Sequence, residues 1–289
     1  MQHFSETDLI LNKDGSVYHL NLKPENVADT ILLVGDPGRV HKVSRHFEKV
    51  EFEMNQREFI THTGYIGKKR LTVLSTGMGM DNIEIAMIEI DALFNIDLKK
   101  RKPKNKTTSV QFIRIGTSGA IHENIDVGTH LISEYAVGLG NLMSFYDLKQ
   151  TEEENAINQI LHQKFRFPFE SYCVKCSDNL NRLFEENLQR GVTITTPGFY
   201  APQGRSIRVP TKYANFLDEL IYLHASNFWF TNFEMETAAI YAMSRLLGHE
   251  AISLNAIIAN RMKKTFAKDP NKVIDELILN TLKKLTETE

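Results

Sequence analysis

The 289-residue sequence predicts a single α/β domain. Three observations carry that prediction. Short apolar runs of strand length alternate with stretches of helical periodicity, several of those runs end in glycine-containing turns, and no internal repeat or Pro- or Gly-rich linker divides the chain. Hydrophobic residues make up 42% and charged residues 24%, enough to fill one large core and unlike a disordered or fibrous chain.

Residues 30–35 (TILLVG) are apolar without alternation, the pattern of a strand buried on both faces, and they end at the turn residues Asp36-Pro37-Gly38. Residues 71–76 (LTVLST) form a second strand, ending in Gly77-Met78-Gly79. Asp81 is placed to cap the next helix, where Ile83, Met87, Ile90 and Phe94 recur at helical spacing. Residues 110–115 (VQFIRI) give a third strand, closed by Gly116-Thr117-Ser118-Gly119. Residues 192–195 and 251–258 read as two more, with a helix over 236–247 between them, and residues 270–285 as a C-terminal helix bearing Val273, Leu277, Leu282 and Leu285 on one side.

Charge narrows the function. Lys and Arg total 34 against 36 Asp and Glu, a net charge of −2, so no global positive field holds nucleic acid or an anionic membrane. Any phosphate ligand must meet locally placed donors. No apolar run approaches the roughly 18 residues that span a bilayer, and the first ten residues carry no apolar export segment. Two cysteines, Cys173 and Cys176, make no disulfide framework and fit a reducing interior, so a cytoplasmic enzyme or binding protein is expected. Their CxxC spacing lacks the second ligand pair that zinc requires and does not open a helix as a redox pair does; it is taken as coincidental. The basic run at residues 99–106 (KKRKPKNK) is expected to be a solvated, mobile loop, a patch for nucleic acid or an acidic partner being the alternative.

The chemistry concentrates at three segments: Gly35-Asp36-Pro37-Gly38-Arg39, Ser75-Thr76-Gly77-Met78-Gly79 and Arg114-Ile115-Gly116-Thr117-Ser118-Gly119. Glycine lets backbone N–H groups approach an anion, and arginine adds a bidentate fork for phosphate oxygens. In open α/β sheets the ligand crevice lies beyond the carboxyl ends of strands, where these segments fall. None is a Walker loop and none has GxGxxG spacing.

Taken in order with VYHLNL, REF, GFYAPQGR, NFEMETAAI and IIANR, these segments resemble the uridine phosphorylase branch of the nucleoside phosphorylase-I family, from about residue 17 to residue 261. The resemblance implies one domain over residues 1–289, with its core from about residue 17, built on a central mixed β-sheet flanked by helices. It implies phosphorolysis of a pyrimidine nucleoside, uridine above all, to free base and ribose 1-phosphate. Orthophosphate is then a co-substrate and no cofactor is implied. The active unit would be a homodimer, with a hexamer as a larger assembly.

Residue by residue, the family pattern sets phosphate against Gly35, Arg39, Arg114 and Thr117, with Arg57 contributed by the neighbouring subunit. It sets ribose against Met235 and Glu236, with His19 crossing the dimer interface to the 5′-hydroxyl. It sets the base against Phe199, Gln203 and Arg205, bordered by Ser118 and Gly119. The glutamine amide offers a donor and an acceptor that match N3–H and a carbonyl of uracil. Arg205, Gln203 and Arg114 are the expected catalytic groups: the first two take up charge on the departing uracil, and Arg114 helps hold phosphate beneath the anomeric carbon.

Some members carry a monovalent cation near positions matching Glu58, Met78 and Asn82. Asn82 stands where a hydroxyl is usual and argues against the ion, so no metal is expected. Met80-Asp81-Asn82 also departs from the common Gly-Pro-Ser, and Ala201-Pro202 from Pro-Gly. A purine-specific relative would carry an acid after the late strand, to assist departure of a base protonated at N7; Ala259-Asn260-Arg261 has none. A purine nucleoside phosphorylase of the same fold is thus the second expectation within enzymes, ahead of a nucleoside hydrolase, which would lack Arg39 and Arg114. A non-catalytic nucleoside-binding protein is the reading outside enzymes.

Overall fold

The computed structural model describes residues 3–184, 188–225 and 228–287. The chain begins its regular structure with β1 (Thr30–Val34), α1 (Pro37–Ser44), β2 (Lys49–Gln56), β3 (Phe59–Ile66), β4 (Lys69–Ser75) and α2 (Met80–Asn95). A short ribbon, β5 (Ile96–Asp97) and β6 (Lys102–Pro103), precedes β7 (Gln111–Ala120) and β8 (His130–Gly138). Then come α3 (Glu152–Phe165), β9 (Tyr172–Lys175), α4 (Asp178–Leu183), β10 (Gln189–Thr195), α5 (Phe216–Leu220), β11 (His224–Ala225) and β12 (Phe228–Glu234). The chain closes with α6 (Thr237–Leu247), β13 (Glu250–Asn260), β14 (Thr265–Phe266) and α7 (Pro270–Thr286).

One mixed sheet organises these elements, in the order β11-β12-β10-β8-β13-β7-β1-β4-β3-β2. β1 lies parallel between β4 and β7, and all five of its residues are buried, as the unalternating TILLV requires. The sheet also curls back on itself. β12 pairs antiparallel with β7 through Asn232–Ala120 and Phe233–Gly119, so that β7, β13, β8, β10 and β12 form a closed ring. α6 packs against the sheet with every residue from Thr237 to Ser244 buried, and α2 packs against α6, with Ile83, Met87 and Ile90 buried. Among the described residues no helix is long and apolar enough to cross a membrane.

Three sequence expectations change. β7 does not stop at Ile115: it runs through Gly116-Thr117-Ser118-Gly119, because β13 pairs alongside it from Glu250–Gln111 to Asn260–Ala120. Asp81 lies in the first turn of α2, whose N-cap is Gly79 at φ 101°, a left-handed conformation that glycine adopts without strain. The helix expected from residue 236 begins at Thr237, with Glu236 as its N-cap.

The basic run at 99–106 is, as expected, a largely exposed connection, with only Lys102–Pro103 in a short strand, and two of its side chains are tied to the body of the chain. Lys104 Nζ donates to the Phe94 carbonyl at 2.6 Å, meeting the free carbonyls that end α2, and Arg101 donates to the carbonyls of Ser5 and Leu9. Cys173 belongs to one core cluster and Cys176 to the other, both buried, and burial pushes both thiols up, Cys176 to about 12. Both are free thiols, and no disulfide joins them.

Candidate active site

A cavity of about 840 Å³ opens at the carboxyl ends of β1, β4, β10 and β12. Its floor is built first by Gly35 and Arg39. The Asp36 carboxylate accepts the Gly38 N–H at 2.9 Å and caps α1, turning the start of that helix toward the cavity. Arg39 is 8% exposed and donates to the Ile115 carbonyl at 3.1 Å. Burial, with the Arg114 charge beside it, holds its guanidinium below the ordinary arginine range. Thr117 lines the same wall.

Arg114 reaches the cavity by folding back over its own strand. A Cβ at Gly116 would stand 1.7 Å from its Nη1, so only glycine leaves room for the guanidinium. Nη2 meets Glu236 Oε2 at 2.6 Å and Glu234 Oε2 at 3.2 Å, and Nη1 donates to Asn255 Oδ1 at 3.2 Å. Burial alone would lower the Arg114 pKa; the two carboxylates reverse that and raise it. Glu236 is raised by its burial and by Glu234, with Arg114 opposing. Its second oxygen accepts the Gly79 N–H at 2.7 Å. Met235 lines the cavity beside it.

The far end is built from β10 and the loop after it. Gln203 is 3% exposed, and its Nε2 donates to Thr196 Oγ1 at 3.0 Å while its Oε1 accepts from Arg205 Nη1. The Arg205 Cζ lies 3.9 Å from the Phe199 ring centroid, so one face of that ring is covered by the guanidinium and only the other is free to stack. Burial first, then the nearby Arg261 charge, lowers Arg205 to about 10. Ser118 and Gly119 line the cavity from β7. Across the mouth, Glu58, Met78 and Asn82 also contribute to the lining, but Asn82 Nδ2 donates to Glu58 Oε1 at 3.0 Å, directing a proton at the carboxylate. Among the described residues no group of three or more His, Cys, Asp or Glu side chains is arranged to hold a metal ion.

His19 and Arg57 lie outside this lining and close to one another. The Arg57 Cζ stands 6.0 Å from the Tyr18 ring centroid, and the Tyr18 and His19 rings meet edge to face at 4.9 Å. Glu89 fixes His19 by a 2.6 Å contact to Nδ1 and by accepting its backbone N–H. Arg57 sits at the turn between β2 and β3 with φ 54°, and the next residue, Glu58, faces its own chain's cavity.

The arrangement thus offers an anion grip at Arg39 and Arg114, a buried carboxylate beside it for hydroxyl donors, and an amide–guanidinium pair with an aromatic ring beyond. A sequence model of the phosphorylase superfamily matches residues 29–287. The chain belongs to the phosphorylase superfamily.

Among its superfamily relatives, the uridine phosphorylase of Thermococcus kodakarensis is 28% identical over 271 residues, spanning 93% of this chain and 86% of the relative. A DeoD-type purine nucleoside phosphorylase from Streptococcus thermophilus is 28% identical over 181 residues, 60% of this chain and 71% of the relative. Among solved structures, the Trypanosoma brucei nucleoside phosphorylase, described as showing uridine phosphorylase activity, superposes with a TM-score of 0.89 at 27% identity, covering 98% of this chain and all of that one.

Two groups that hold cavity residues of this superfamily member escape a sequence reading. Glu234 caps α6 by accepting the N–H groups of Glu236 and Thr237 at 2.8 Å each, and so orients the neighbouring Glu236; the signal was a second glutamate two positions before it. Arg261 donates to the Gln203 carbonyl at 3.0 Å; reading residues 259–261 only for a missing acid passes over the guanidinium that is present.

Proposed function

We propose that the protein phosphorolyses uridine, releasing uracil and ribose 1-phosphate. One observation carries the choice of base: the Thr196–Gln203–Arg205 chain, with Arg261 behind it, presents donors and a positive field where the base departs. Uracil leaves with negative charge on its carbonyl oxygens, and preorganised cationic donors stabilise that charge as it forms. A departing purine needs an acid near N7, and the cavity wall at Ile258-Ala259 supplies none.

In this reading Arg39, Arg114 and the Gly35 backbone hold orthophosphate with Thr117 beneath the anomeric carbon, so attack on the sugar is effectively intramolecular. The sugar develops oxocarbenium character, which the adjacent phosphate anion stabilises. Glu236 accepts hydrogen bonds from the ribose hydroxyls, beside Met235. A homodimer completes each site: the patch holding His19 and Arg57 would reach the ribose 5′-hydroxyl and the phosphate of its twin. No covalent nucleophile and no cofactor take part. We infer a cytoplasmic setting, supported by the two unpaired thiols.

The test is a panel of uridine, thymidine and inosine incubated with and without phosphate, reading released base. Uracil release that depends on phosphate and exceeds hypoxanthine release at least tenfold is the expected outcome. Preferential cleavage of inosine would transfer the protein to the purine reading.

A further inference from the structure

Inside the closed strand ring lies a line of polar side chains that the reading above does not use. Arg114 Nη1 donates to Asn255 Oδ1 at 3.2 Å, and Asn255 Nδ2 donates to Ser133 Oγ at 2.9 Å. Ser133 and Thr193 share a short hydroxyl–hydroxyl bond. Thr193 Oγ1 donates to Asn232 Oδ1 at 2.9 Å, and Asn232 Nδ2 donates to Ser118 Oγ at 2.9 Å. Asn255, Ser133, Thr193 and Asn232 are completely buried, away from bulk water.

Arg114 fixes the direction of the first bonds in this line, and the rest follow with the Asn232 amide turning its oxygen to Thr193. A guanidinium only donates, so Asn255 must turn its oxygen to Arg114 and its NH₂ to Ser133. The single hydrogen of Thr193 is spent on Asn232, so the hydrogen between the two hydroxyls comes from Ser133. The Asn232 oxygen accepts from Thr193 and also from Thr231 at 2.8 Å, leaving its NH₂ for Ser118. Ser118 is therefore supplied with a hydrogen bond from inside the ring and keeps its own hydroxyl hydrogen, at the cavity wall where it lines the site. Chains of like-directed hydrogen bonds polarise one another in a low-dielectric interior.

We propose that Asn255, Ser133, Thr193 and Asn232 are positioning residues: anchored on Arg114, they fix Ser118 as a hydrogen-bond donor toward an acceptor oxygen of the nucleoside. The four touch no substrate. Their effect falls on nucleoside binding and leaves the phosphate grip in place, because Arg114 keeps Glu236 and Glu234 as partners. The inference rests on the phosphorolysis reading for its substrate.

Asn232→Asp tests it at constant shape. A carboxylate there accepts from Ser118 instead of donating to it, consuming the hydrogen meant for the nucleoside. The uridine KM should rise about tenfold while the phosphate KM stays within twofold. Because a buried carboxylate also endangers folding, Thr193→Val and Thr193→Ser form a second pair: Val severs the line and should raise the uridine KM at least threefold, whereas Ser keeps the hydroxyl and should match the parent. Equal uridine KM values for the Val and Ser variants, or an unchanged uridine KM in folded Asn232→Asp, would overturn the proposal. A parent protein that never cleaves uridine overturns the functional reading instead, and the two failures are told apart by that control.

Discussion

Adding one methyl group to β7, at Gly116 between Arg114 and Thr117, should disable the phosphate grip. In Gly116→Ala the new Cβ would lie 1.7 Å from Arg114 Nη1, 2.4 Å from Cζ and 2.9 Å from Nη2. Carbon and nitrogen do not approach closer than about 3.5 Å without strain, so the guanidinium must move by roughly 2 Å. A shift of that size carries Nη2 out of reach of Glu236, now at 2.6 Å, and Nη1 out of reach of Asn255, now at 3.2 Å. A phosphate placed to meet Arg114 in its present position would lose a charge-assisted bond. Such a bond contributes about 1.5–3 kcal/mol, and misplacement of about 1 Å can lower rates a hundredfold. We expect kcat/KM for phosphate, from uracil release at saturating uridine, to fall about a hundredfold, equivalent to about 2.7 kcal/mol. A thermal melt confirms folding. Phosphate kcat/KM within threefold of the parent, in a folded variant, would refute the placement of Arg114 as the anion grip.

Three other outcomes follow from the same geometry. Arg205→Ala should lower kcat/KM for uridine by a hundredfold or more, about 3 kcal/mol of transition-state binding, since it removes the donor that Gln203 and Phe199 hold in place. The raised Glu236 pKa means that its carboxylate takes up a proton at higher pH than a free glutamate does. As pH falls through that raised value, Glu236 loses its charge and one oxygen becomes a donor, so the acid limb of uridine kcat/KM should lie above pH 4.5 and vanish in Glu236→Gln. For stability the sign is opposite to that of a paired surface carboxylate: the burial cost is absent at low pH and is incurred as pH rises through the folded pKa. Finally, with Cys173 and Cys176 buried and their thiols raised, a disulfide reagent at pH 8 should label neither in the folded protein and both after denaturation.

Local pattern made much of this molecule legible. TILLV announces β1 because burial on both faces needs no alternation, and the C-terminal helix shows its apolar side plainly in Leu277, Leu282 and Leu285. The site segments were visible because glycines with a nearby arginine or hydroxyl recur together after three strands, a coincidence that single structural turns do not make. What was hidden depends on distant pairing. Nothing local tells that β12 closes against β7, or that β13 draws β7 onward through Gly119. β2 and β3, which pair antiparallel with each other, β3 also with β4, were likewise missed, although they flank the turn at Arg57 and Glu58. The basic run was read rightly as a solvated connection, but its charge alone did not show that Lys104 falls back on the end of α2. Glu234 and Arg261 act through backbone groups, on the start of α6 and on Gln203, and a residue that works by holding its neighbours leaves little trace in a motif.

The central claim is that an anion grip and a uracil-reading pair share one cavity, so that phosphate rather than water takes the sugar. Phosphorus NMR of the protein with uridine and orthophosphate tests this most directly. The account predicts one equivalent of ribose 1-phosphate for each uracil released. Free ribose with orthophosphate undiminished, or uridine left intact beside ample phosphate, would contradict it.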